Sequence, residues 1–189
     1  MDIDTLEQKI KKYKINTGGG VKDNENKESL PSMLSVFRSM IKDGIPPTQS
    51  EFVGTFLDMF NTKGITPRLK RAYLSFVREY HLEFLLNRHF ERVVYKEEYD
   101  IAGVDFVVYY RGHKFNIHAF VDTVNGRYWR GVKNTRHKFK GTHIDLPLNL
   151  STGKKVGKFL LYTDSHVGKM KAEMDRLITA LATNSSKNS

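Results

Sequence analysis

The hydrophobic period of this chain changes near residue 91, from helical spacing before it to two-residue alternation after it. That switch limits the fold to helices followed by a sheet, because a pattern with one period does not bury its apolar side in the other element. Met33, Val36, Phe37 and Met40 recur at helical steps, and Gly44 is placed to end that helix. Thr48 with Glu51 three residues later reads as a capping box for a second helix lined by Phe52, Phe56, Leu57 and Phe60. Thr66-Pro67 starts a third helix that should reach about Arg88, with Tyr73, Phe76, Val77, Tyr80 and Phe84 as its apolar stripe.

After residue 91 the runs are short and rich in branched and aromatic side chains. Residues 91–95 (ERVVY), 104–110 (VDFVVYY) and 114–121 (KFNIHAFV) read as an antiparallel meander, with Arg111-Gly112-His113 as the turn between the last two. The stretch 126–140 reads as a basic helix or helical loop, 144–148 and 159–162 as strands. A final helix shares Val167, Met170, Met174, Leu177, Ile178 and Leu181 on one face. The expected organisation is a mobile segment over 1–28 containing a short helix, a helical extension over 29–66, an α/β core over 67–183 and a disordered tail over 184–189.

With 189 residues and 39% hydrophobic side chains, one main core is expected. The chain has no cysteine, so disulfides and thiolate metal sites are excluded, and any metal must take oxygen or imidazole ligands. No apolar run reaches the roughly 20 residues that a membrane span needs, and the N-terminus lacks a signal-peptide pattern. A reducing, cytoplasmic setting and no membrane partner are the expectations.

Charge is distributed unevenly. Residues 111–171 hold 13 lysines and arginines against three acids, while the rest of the chain balances 18 against 18, so this one segment carries the whole net charge of +10. Arg127, Arg130, Lys133 and Arg136 follow one another at helical steps, with Lys138 and Lys140 beyond them, as a ridge able to track phosphates. Tyr128 and Trp129 could stack on unpaired bases or anchor the ridge to the core. The expected partner is a nucleic acid, DNA before RNA, with a protein partner or a homodimer also open. A solvated basic face is the plainer alternative. The helical hairpin around residues 49–67 has only the outline of a helix-turn-helix.

The order from Leu69 is helix, three strands, helix, strand, strand, helix. Over residues 67–163 this resembles the PD-(D/E)xK nuclease superfamily, whose restriction-endonuclease-like core has an αβββαβ order. Gly103-Val104-Asp105-Phe106-Val107-Val108 is similar to its first motif, an Asp leading an apolar strand. In the second motif the acid position holds Asn116 and the lysine position His118. The pair Asp105 and His118 resembles the very-short-patch mismatch endonucleases, which use histidine beside the strand Asp.

The resemblance implies a metal-dependent DNA endonuclease with Asp105 as central ligand of Mg²⁺ or Mn²⁺ and His118 as general base or ligand. Asp122 shares the strand face of Asn116 and His118, and Glu83 lies seven residues after Phe76 along the helix stripe, so both are candidate auxiliary ligands. Each has a simpler role open to it: Asp105 starting a strand, His118 merely satisfied, Asp122 with Thr123 capping the basic helix, Glu83 pairing with Asn87. The second functional reading is a nuclease-like fold that has lost hydrolysis and binds DNA or docks on a nucleic-acid-processing complex.

Overall fold

The computed structural model describes residues 1–16, 33–60, 64–95, 104–136 and 140–187, and shows a mixed α/β protein with a four-stranded mixed sheet. Two compact units form, Met1–His81 with Lys155–Leu160, and Leu82–Lys154 with Leu161–Ser189.

The first unit begins with α1 (Ile3–Ile10), capped by Asp2, whose carboxylate accepts from Thr5 N at 2.7 Å. Ile3, Leu6 and Ile10 are buried, Glu7 bonds buried His81 at 3.0 Å, and Tyr13 donates to the Pro46 carbonyl at 2.6 Å. Residues 1–16 are therefore packed where the sequence reading expected a mobile segment; three well-spaced apolar side chains suffice to dock one short helix. Residues 17–32 lie outside the described residues.

Helix α2 (Met33–Ser39) stops five residues before Gly44, which instead forms, with Asp43, a left-handed turn closed by a Lys42–Ile45 bridge. Helix α3 (Gln49–Phe60) has the expected capping box: Thr48 N donates to Glu51 Oε2 at 2.7 Å and Glu51 N to Thr48 Oγ1 at 3.4 Å. The Thr48 N–H, together with the Thr48 hydroxyl donating to Glu51 Oε2 at 2.7 Å, holds the Glu51 carboxyl below its ordinary range. Phe37, Phe52 and Tyr73 meet at ring separations of 5.9 to 6.0 Å, which makes an aromatic core for this unit.

Helix α4 (Thr66–His89) supplies Leu69, Tyr73, Val77 and Tyr80 to that core. Its end, within the second unit, buries Leu82, Leu85 and Leu86. Phe76 and Phe84 of the expected stripe are only half-buried. The expected boundary at residue 67 thus falls inside a helix whose first four turns belong with the N-terminal helices.

In the second unit β1 (Arg92–Val94), β2 (Phe106–Tyr110) and β3 (His113–Val121) form the expected meander, turning at Arg111 and Gly112, both with positive φ. Helix α5 (Val124–Arg136) then crosses over, and β4 (Thr142–Leu148) pairs with β3 in parallel. A parallel neighbour requires such a crossover, since a tight hairpin only joins antiparallel strands. Strand order is β1-β2-β3-β4. A small hairpin, β5 (Lys154–Val156) and β6 (Phe159–Leu161), falls almost wholly in the first unit, and helix α6 (Asp164–Lys187) follows in the second. Helix α6 buries Val167, Met170 and Met174 and continues through Lys187, past the start of the expected tail at 184. None of the described helices is long and apolar enough to cross a membrane.

Candidate active site

The two faces of the sheet differ in chemistry, and the difference follows from alternation. Ile144, Leu146 and Leu148 of β4 are buried, while His143, Asp145 and Pro147 between them are exposed. Residues paired across strands share a face, so the register carries this division through the sheet. Phe106 and Ile117 join Ile144 on the apolar face. Asn116 pairs with His143, and His118 with Asp145, on the polar one. The β2–β3 register ends at Phe106–Ile117, and Asp105 lies just before it. Asn116, His118, His143 and Asp145 are thereby gathered on one face of β3 and β4, with Asp105 at the adjoining end of β2.

Asp105 is only 7% exposed. Its Oδ2 accepts from Ala119 N at 2.6 Å, and its own N–H donates to the Ile117 carbonyl at 3.0 Å. The carboxylate continues the β2–β3 ladder where main-chain pairing stops. His118, 4% exposed, has its Nε2 at 2.7 Å from His143 Nδ1, with the two rings within 9° of coplanar. One proton lies between those nitrogens. Asn116 is fully buried; its Nδ2 donates to the Lys140 carbonyl at 3.3 Å, whereas its Oδ1 has no hydrogen-bond partner. A buried amide oxygen left without a donor costs about 1–3 kcal/mol, which a water, a donor or a cation at that point would offset. Gly141, at φ +126°, gives the Asn116 amide its room: a Cβ there would stand 2.8 Å from Nδ2.

The remaining candidates are placed differently. Asp122 follows β3 and forms an ion pair with Arg127, whose hydrogen bond holds the Asp122 carboxyl below its ordinary range. Thr123 caps α5 by accepting from Gly126 N at 3.0 Å, so the capping role that the sequence allowed falls to this pair of residues. Glu83 is half-buried on α4, and its main-chain carbonyl accepts from Asn87 Nδ2 at 2.8 Å. Among the described residues, no three His, Asp or Glu side chains gather into a metal-binding group.

The basic ridge divides into two. Arg127 is 71% exposed, whereas Arg130 is 10% exposed and binds Asp145 Oδ1 through Nε and Nη2, each at 2.7 Å. Lys140 and Tyr128 are exposed. Lys138 lies outside the described residues, as do the side chains of Trp129, Lys133 and Arg136.

His143 was missed from the sequence, and Asn116 was noted only as a departure from a motif. His143 stands 25 residues from its partner, so no linear spacing joins them. The alternation of Thr142 to Leu148 held the usable signal, since it starts the strand early enough to put His143 and Asp145 on one face. No family model, curated protein or solved structure matches this chain.

Proposed function

We propose that the chain is a divalent-cation-dependent DNA endonuclease of the PD-(D/E)xK kind, hydrolysing phosphodiester bonds at the polar face of its sheet. The observation that carries this reading is the buried carboxylate Asp105, bonded to the main-chain N–H of Ala119, next in sequence to a buried imidazole, His118, that is itself bonded to His143. Buried acid and imidazole groups side by side are costly to maintain for stability alone and are the usual equipment of acid–base chemistry. The order from α4 to β4 supports the kinship: helix, three-strand meander, helix, and a strand parallel to the third.

The donor set fits a hard cation in part. Asp105 offers a carboxylate, and Asn116, at the acid position of the second motif, offers a buried and unpartnered carbonyl oxygen. Oxygen ligands with water completing the shell suit Mg²⁺ or Mn²⁺. Asp122 would join only by releasing Arg127, and Glu83 would have to reach in from α4. Bound at Asp105, such a cation supplies positive charge against the phosphoryl oxygens. Asp105 is held in place by Ala119 N. The histidine pair takes up the proton of the attacking water. Arg127 and Lys140, with Lys133, Arg136 and Lys138 of the same segment, hold the backbone.

A second reading rests on the Asp122–Arg127 ion pair and on Asn116 in place of an acid: a nuclease-like fold that binds DNA, or docks on a nucleic-acid-processing complex, without cutting. Incubation with supercoiled plasmid and with single-stranded DNA in Mg²⁺ or Mn²⁺ separates the two. Nicking that disappears in Asp105→Ala supports the first, and salt-sensitive binding without nicking the second. Cutting at wild-type rate in Asp105→Ala excludes the assignment of Asp105.

A further inference from the structure

We propose that His118 and His143 together hold one d-block divalent cation, zinc being the first choice, between His118 Nε2 and His143 Nδ1. These two nitrogens are aimed at each other across 2.7 Å, from rings within 9° of one plane. Lone pairs converging on a shared point are what a metal ion needs as much as a proton does. On a tetrahedral zinc with Zn–N near 2.0–2.1 Å, two ligand nitrogens stand about 3.3 Å apart with lone pairs meeting at about 109°, so the pair must open by about 0.6 Å and one ring must swing by about 70° from its head-on alignment.

The fold allows that opening from one side. His118 is buried on the central strand β3, but His143 is exposed on β4, which lies at the end of the sheet order. Rotation of the His143 side chain is enough. The proton between the rings moves to the outer nitrogen of the ring that carries it, so both imidazoles stay neutral and no charge is lost. Water fills the other positions, and Asp145, which pairs with His118 across β3 and β4 and is held by Arg130 through Oδ1, is placed to accept a hydrogen bond from it. Imidazole donors favour zinc, cobalt and nickel over magnesium, which separates this site from the oxygen site at Asp105.

Binding here does not depend on the chain being a nuclease. One consequence does rest on that reading: with the cation in place the pair can no longer take a proton, so zinc opposes Mg²⁺-supported cleavage. Titration of the full chain with Co²⁺, followed by its visible ligand-field absorption, tests the site directly, with equilibrium dialysis against Zn²⁺ beside it. One ion per chain is expected, lost in His143→Gln and in His118→Gln but kept in Asp105→Asn. Should either histidine variant melt early, paramagnetically shifted ring protons from two histidines of the wild-type Co²⁺ form give the same answer without a variant. Uptake no greater than that of the double histidine variant, or shifted signals from other histidines, overturns the proposal. Absence of plasmid nicking in Mg²⁺ leaves it standing and counts only against the hydrolytic reading.

Discussion

Asp105 and Ala119 are joined by a hydrogen bond from main chain to carboxylate, 2.6 Å long, that takes the place of the next rung in the β2–β3 ladder. One side chain thus has both a structural and a chemical task, and two substitutions separate them. Asp105→Asn keeps an acceptor for Ala119 N, so its denaturation midpoint should stay near wild type. Asp105→Ala strands that N–H and should lose about 1–3 kcal/mol. Both remove the charge, so both should abolish nicking. Retained nicking in the folded Asn variant would remove Asp105 from the chemistry.

Helix α5 carries two glycines with opposite expectations. A Cβ on Gly126 would stand 2.0 Å from the Val121 carbonyl oxygen, whereas one on Gly131 meets nothing within 4 Å. Gly126→Ala should cost about 1–3 kcal/mol through the forced shift of backbone against backbone. Gly131→Ala should stabilise the protein by about 0.5–1 kcal/mol, the helical preference of Ala over Gly. Urea titrations of the two variants check the opposite signs.

His166 gives a pH dependence. Its Nδ1 accepts from Thr163 N at 3.2 Å, so the neutral ring carries its proton on Nε2, which reaches Thr152 Oγ1 at 3.1 Å. Burial, followed by the charge of Lys169, pushes its pKa below the ordinary histidine value of 6.5. Below that value the unfolded chain binds the proton more readily than the folded one. The stabilisation is therefore whole above the unfolded pKa and is lost as pH falls from it toward the folded pKa. Melting curves from pH 8 to 5 should fall more steeply for wild type than for His166→Gln; equal slopes would refute the assignment.

Arg127 and Arg130 should behave differently in DNA binding. Arg127→Ala, at an exposed ion pair, should leave the melting temperature close to that of wild type. It should also flatten the plot of log K against log salt by about 0.7 to 0.9, the release of one counterion. Arg130→Ala leaves Asp145 without that partner and should lower stability first, with little change of slope. Equal slopes for wild type and Arg127→Ala would leave α5 a solvated face.

The meander, the capping box at Thr48 and the start of α4 at Thr66 were all legible, because each is written in residues close together in sequence. Docking of α1 was not: Ile3, Leu6 and Ile10 form too small a patch to be told from a mobile helix without its partners. Of the candidate site, the placement of Asp105 at the head of β2 and of His118 within β3 was legible from the strand pattern. The His143 contact and the unpartnered oxygen of Asn116 depend on the parallel β3–β4 register, which spacing does not encode. Asp122 and Arg127 were read as ligand and phosphate contact; their ion pair depends on the turn that joins β3 to α5.

The parallel pairing of β3 with β4 also orders the assembly of the protein in time. Strands β1, β2 and β3 close onto sequence neighbours, and the β2–β3 turn spans only Arg111 and Gly112, so their contacts cost little chain entropy. Strand β4 joins only after the chain has passed through the whole of α5, a longer loop that delays its contacts. The His118–His143 pair therefore exists only once β4 has docked beside β3, and a chain in which that docking is lost has no such pair. Any activity that needs both is a property of the completed sheet alone.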